Sequence, residues 1–95
     1  EFLIVLPDTP LSGARRVADT LRRDIAEHPV SWNNETVTVT ASFGVTTIEP
    51  GEVDSHSVVG RANAALYRAK QSGRNTVRTD QEQLAATAAQ FPQPA

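Results

Sequence analysis

Apolar residues run unbroken through residues 2–6, between Glu1 and Pro7. A run of that length predicts a strand covered on both faces. After an Asp8-Thr9-Pro10 turn, Leu11, Ala14, Val17, Ala18, Leu21 and Ile25 recur at helical spacing, with Arg15, Arg16, Asp19, Arg22, Arg23 and Glu27 between them. Thr9 reads as the cap of this helix with Pro10 at its first position, or the start falls a residue or two later; Pro29 ends it. Val30-Ser31-Trp32 followed by Asn33-Asn34 predicts a short edge strand and a tight turn, because Asn tolerates positive φ. In the return strand, Val37, Val39, Ala41, Phe43 and Val45 alternate with Thr36, Thr38, Thr40, Ser42 and Gly44. Gly44 inside that pattern marks a bulge or a close backbone approach. A Glu49-Pro50-Gly51-Glu52 loop precedes a second helix capped by Asp54 or Ser55. Its inner positions are Val58, Val59, Ala62, Ala65, Leu66 and Ala69, with Gly73 as the residue just past its end. Residues 74–79 close the pattern with a short strand around Val77.

The resulting order of strand, helix, hairpin, helix and strand predicts an α/β chain, an α+β sandwich in which a mixed sheet carries helices. Residues 1–79 form one unit, and the Gln- and Ala-rich residues 80–95, without an apolar face, read as a mobile tail. Ninety-five residues suit one small domain. A net charge of −2 offers no electrostatic footprint for nucleic acid or a membrane surface. The absence of cysteine excludes disulfides and thiolate metal sites. No apolar run approaches the ~18 residues of a membrane span, so a cytoplasmic location is expected.

Several catalytic signatures are missing: a Gly-rich phosphate loop with Lys-Ser/Thr, His-Glu-x-x-His, and a Gly-x-Ser-x-Gly elbow. His28 and His56 read as surface residues, and Tyr67 as a buried ring with a partnered hydroxyl. Asn75 reads as a residue that ties its turn through side-chain-to-backbone bonds. Lys70 falls in the last turn of the second helix and Arg74 just past its terminating glycine. Two accounts of this pair stand side by side. Cations favour a helix C-terminus for ~0.3–1 kcal/mol each. Alternatively, an ammonium and a forked guanidinium four residues apart form a clamp for a polyphosphate. Glu1 by itself has no assigned role.

Three motifs in order carry a family resemblance. Glu1-Phe2 followed by Leu3-Ile4-Val5-Leu6-Pro7-Asp8-Thr9 resembles the last two letters of a GGDEF motif and the strand leaving it. The stretch Thr38-Val39-Thr40-Ala41-Ser42-Phe43-Gly44-Val45 is similar to that family's central strand. Ala62-Asn63-Ala64-Ala65-Leu66-Tyr67-Arg68-Ala69-Lys70, then Gly73-Arg74-Asn75, is similar to its helix signature. The resemblance covers residues 1 to about 79 and implies part of a diguanylate cyclase domain with a nucleotidyl-cyclase-like palm fold. Such a domain condenses two GTP molecules, one held on each of two facing domains with Mg²⁺ or Mn²⁺, into cyclic di-GMP and pyrophosphate. By that pattern Lys70 and Arg74 contact the GTP phosphates, and Glu1 lies beside metal and reacting groups as a metal ligand and catalytic carboxylate. The chemistry suits these residue types, because phosphoryl-type transfer rests on positioning and charge neutralisation.

The departures are equally specific. The glycines and Asp of the motif, the first strand with its metal-binding Asp, the guanine-reading residues and an Arg-x-x-Asp inhibitory site would all precede Glu1. Asn63 stands where the family carries Asp. The expectation is therefore a C-terminal half-domain, inactive alone, from a cyclase parent that binds GTP and cyclic di-GMP. The alternative is a degenerate GGDEF domain that senses GTP or cyclic di-GMP or docks a protein. Without its first strand, the chain is expected to form a homodimer or a strand-paired oligomer through open sheet edges.

Overall fold

A computed structural model describes residues 1–81. The elements run α1 (Leu11–Glu27), β1 (Val30–Trp32), β2 (Glu35–Val37), β3 (Phe43–Val45), α2 (Ser55–Gln71) and β4 (Val77–Thr79). Both helices lie where apolar periodicity places them. α1 opens on Pro10, whose extended backbone (φ −69°, ψ 162°) is the cap and whose carbonyl accepts from the Ala14 amide at 2.9 Å. The helix thus takes the later of the two expected starts, and Thr9 donates from Oγ1 to the Pro7 carbonyl at 2.9 Å. α2 opens on Asp54, whose side chain accepts from the His56 amide at 2.9 Å and the Ser57 hydroxyl at 3.1 Å.

β1 and β2 form an antiparallel hairpin in the register Val30↔Val37, Ser31↔Thr36, Trp32↔Glu35. Asn33 and Asn34 take φ of 50° and 63°, the left-handed pair that a two-residue hairpin loop demands. The hairpin is exposed throughout. β3 and β4 pair in parallel, Phe43↔Val77, Gly44↔Arg78 and Val45↔Thr79, in a second two-stranded sheet. The α/β arrangement is as expected, with the antiparallel and parallel pairings in two separate small sheets and not in one mixed sheet, and both helices pack against β3 and β4.

Two expected strands differ from the pattern. The alternation through residues 36–45 predicts one long strand, yet the chain changes partner between β2 and β3, and residues 38–42 carry no strand structure. Residues 2–6 form no strand either. Phe2 is 99% exposed, and Leu3, Ile4 and Val5 are exposed beside it. Alternation and apolar content describe what a strand can bury, whereas a strand exists only where a neighbour takes its amides and carbonyls. No described strand pairs with either segment.

The core is built of small residues. Ala65 and Ala69 on α2 are fully buried, Ala14 and Ala18 on α1 nearly so, with Val77 and Thr79 of β4 between the elements. Among the described residues no large side chain is fully enclosed. Cohesion therefore comes from close backbone approach, and at Gly44 the backbone of α2 comes too near to leave room for a Cβ. Of the expected tail, Asp80 and Gln81 are helical and residues 82–95 lie outside the described residues.

Candidate functional site

The C-terminal end of α2 closes on itself. Ser72 donates to the Arg68 carbonyl from its amide at 2.9 Å and its hydroxyl at 2.8 Å, and the Arg74 amide reaches the Ala69 carbonyl at 3.1 Å. These bonds satisfy carbonyls that the helix end would leave bare. The backbone then runs left-handed through three residues, Gly73 (φ 102°), Arg74 (φ 65°) and Asn75 (φ 49°). Glycine adopts that region freely, but Arg and Asn do so at a cost and need their surroundings to hold them.

Asn75 supplies the hold. Its amide donates to Ser42 Oγ at 3.0 Å, and its side-chain Oδ1 accepts from Arg22 Nη1 at 3.2 Å. Arg22 is in turn fixed by Asp19, whose Oδ1 accepts from Nε at 2.9 Å, while Arg23 approaches Asp19 Oδ2 at 3.3 Å. The Arg22 hydrogen bond holds the Asp19 carboxyl below its ordinary value, with Arg22, Arg23 and Arg15 charges adding to the effect. Asn75 was expected to bond locally; it bonds instead to α1 and to the residue preceding β3.

Of the expected clamp, Lys70 lies in the last turn of α2 and Arg74 within this left-handed turn, and both are exposed. Among the described residues neither side chain is committed to a hydrogen bond or an ion pair. Tyr67 is 62% exposed on the outer face of α2, not buried as expected, and its hydroxyl accepts from Gln71 Nε2 at 2.9 Å. A groove of about 460 Å³ between α1 and β4 is lined by Ser12, Arg15, Arg16, Asp19, Thr76 and Val77, so none of the expected site residues lines it. Glu1 lies exposed at the start of the unpaired segment. No group of three or more His, Asp or Glu side chains that could hold a cation comes together among the described residues. Glu1 therefore belongs to no such group among the described residues.

A second polar cluster escaped the sequence pattern altogether. Arg61 of α2 grips Glu52 with both terminal nitrogens, Nη1 to Oε2 at 2.7 Å and Nη2 to Oε1 at 2.9 Å, and Nη2 also donates to the Thr47 carbonyl at 2.8 Å. Its Nε donates to Thr46 Oγ1 at 3.3 Å and lies 3.6 Å from Asp80 Oδ2, which accepts from Thr46 Oγ1 at 2.9 Å. The Arg61 hydrogen bonds, followed by one from the Glu49 amide, push the Glu52 carboxyl down to about 2. This cluster pins the β3–α2 loop to α2 and to the end of β4. Nothing in the sequence spacing announces the reach of Arg22 to Asn75 or the partners of Arg61.

Comparison with known proteins bears on this arrangement. Residues 1–76 match the family described as diguanylate cyclase, GGDEF domain. The chain is 34% identical over 84 residues to diguanylate cyclase A of Treponema denticola, covering 88% of this chain and 23% of that protein. It is 40% identical over 75 residues to diguanylate cyclase DgcP of Pseudomonas aeruginosa, covering 79% of this chain and 11% of that one. The chain thus spans a quarter or less of these curated relatives. In structure it resembles the GGDEF domain of DgcB from Caulobacter crescentus, solved in complex with c-di-GMP. The TM-score is 0.73 at 32% identity, over 79% of this chain and 44% of that one. The fold, the ordered motifs and the family match agree, and the chain belongs to the GGDEF domain family.

Proposed function

We propose that this chain supplies the phosphate-binding part of a diguanylate cyclase, in a protein that condenses two GTP molecules to cyclic di-GMP in the cytoplasm, where GTP is available. The observation that carries the reading is the pair Lys70 and Arg74, exposed and uncommitted among the described residues, Lys70 at the end of α2 and Arg74 within a left-handed turn that other residues hold in place. A point charge and a fork presented together neutralise and orient a triphosphate. The catalytic role of Glu1 and the use of Mg²⁺ or Mn²⁺ belong to the complete domain, where further carboxylates would join Glu1.

Titrating GTP into the purified chain tests the clamp. Lys70→Ala and Arg74→Ala are each expected to weaken binding roughly tenfold, the effect of losing one charge-assisted hydrogen bond, with unchanged circular dichroism. Wild-type affinity in both variants would remove these residues from the site.

The unpaired residues 2–6 favour association with a second copy, since apolar segments without a strand neighbour pair with whatever edge is offered. Sedimentation at low micromolar concentration is expected to show dimers or larger species. A monodisperse monomer with residues 2–6 protected from hydrogen exchange would contradict it.

A further inference from the structure

The turn that carries Arg74 is secured from outside its own helix. Of the groups that hold it, Ser42 touches only the Asn75 backbone, so its bond survives any side chain at that position. Arg22 touches the Asn75 side chain, 53 residues away in sequence, and is the one side chain of α1 that reaches the turn by a described hydrogen bond. Arg22 is 21% exposed and is oriented by Asp19 through Nε, which leaves Nη1 aimed at Asn75 Oδ1. A guanidinium fixed at one end and bonded at the other is a strut. Arg74 follows a glycine at φ 102° and itself sits at φ 65°, a conformation that an unsupported Arg leaves readily for the right-handed or extended regions.

We infer that Arg22 is a positioning residue for the phosphate clamp: its Asp19-anchored bond to Asn75 keeps the Gly73-Arg74-Asn75 turn left-handed and so aims the Arg74 guanidinium. This rests on the phosphate-binding reading of Arg74. It adds that α1, which carries no residue of the clamp itself, sets the geometry of the clamp. Arg23 shares the carboxylate of Asp19 but has no described bond to Asn75, which makes it the natural control.

The test uses the 95-residue chain with inorganic tripolyphosphate as probe, at pH 7. Two readouts are taken on Arg22→Ala, Asn75→Ala, the double variant, Arg23→Ala and Arg74→Ala. One is tripolyphosphate affinity; the other is the strong intraresidue Hα–HN cross peak that positive φ gives Arg74 in a ¹⁵N-edited NOESY spectrum. Arg22→Ala and Asn75→Ala are each expected to weaken binding roughly three- to tenfold, the range for one hydrogen bond, and to diminish the cross peak. The double variant is expected to lose no more than either single change, and Arg23→Ala to alter neither readout.

Unchanged affinity and an intact cross peak in Arg22→Ala would overturn the inference. Equal losses in Arg23→Ala would overturn it too, since general charge would then account for the effect. Wild-type tripolyphosphate affinity in Arg74→Ala would remove the phosphate reading; the cross peak would still decide whether Arg22 sets the turn. Should Arg22→Ala fail to fold, Asn75→Ala breaks the same joint from its other end.

Discussion

Gly44→Ala is expected to cost about 3 kcal/mol or more, the upper end of what overpacking a close-fitted core does. A Cβ at this position would lie inside contact distance of the Ala62 carbonyl oxygen and the Leu66 amide, and 2.8 Å from Leu66 Cα. All three obstacles are backbone atoms of α2, so no rotamer change relieves them, and the helix itself must move off β3. That movement would open the region around Ala65 and Ala69, which are fully buried in the core. A small domain has a total stability of about 5 kcal/mol, so the variant should be largely unfolded or molten near 37 °C. Urea denaturation followed by far-ultraviolet circular dichroism checks it. A midpoint within experimental error of the parent would mean that α2 does not lie against β3 as closely as described.

The second large effect is expected at Arg61, through a different mechanism. Replacing it with Ala deletes the bidentate grip on Glu52 and the donors to Thr47 and Thr46, and leaves Glu52, 14% exposed at its side chain, without its counter-charge. Removing one member of such a network costs more than forming it contributed, because the remaining groups stay partly enclosed and unpaired. The thermal midpoint should fall by roughly 5 °C, on the scale set by a domain of this size, and amides in the β3–α2 loop should exchange faster.

Acid response distinguishes this effect from a general loss of packing. Glu52 is held at about 2 against an ordinary 4.5. Its folded-state value is depressed, so the stability it contributes is complete above about 4.5 and drains away as pH falls toward 2. In Arg61→Ala that acid-dependent part should shrink. A variant that lost stability equally at pH 3 and pH 7 would show that the Glu52 pairing was not the source. Glu52→Gln, which keeps the shape but not the charge, should reproduce the flatter acid profile.

Local chemistry alone determined a good deal of this protein. The helical repeats from Leu11 to Ile25 and from Val58 to Ala69 placed α1 and α2, because a 3.6-residue period is a property of one chain segment and its own exposed face. The Asn33-Asn34 turn, the Asp54 cap and the glycine after α2 follow from backbone preferences of single residues, and each lies where those preferences put it. Lys70 and Arg74 were legible as a pair for the same reason, their spacing across a helix end being a local quantity. Gly44 announced a close approach, though not which element approached.

Tertiary structure decided whatever needed a partner. The apolar run at residues 2–6 had the content of a strand and no neighbour to complete it, and the alternating segment after the hairpin was divided when its two ends paired with different strands. The grip of Arg61 on Glu52 reaches from α2 back into the preceding loop, and the reach of Arg22 to Asn75 joins residues 53 apart in the chain. Such contacts leave no period, because their free energy depends on a distance in space that spacing along the sequence does not encode. For the candidate site, the charges were therefore written in the sequence, while the strut that aims one of them was settled only when α1 came to rest beside the turn after α2.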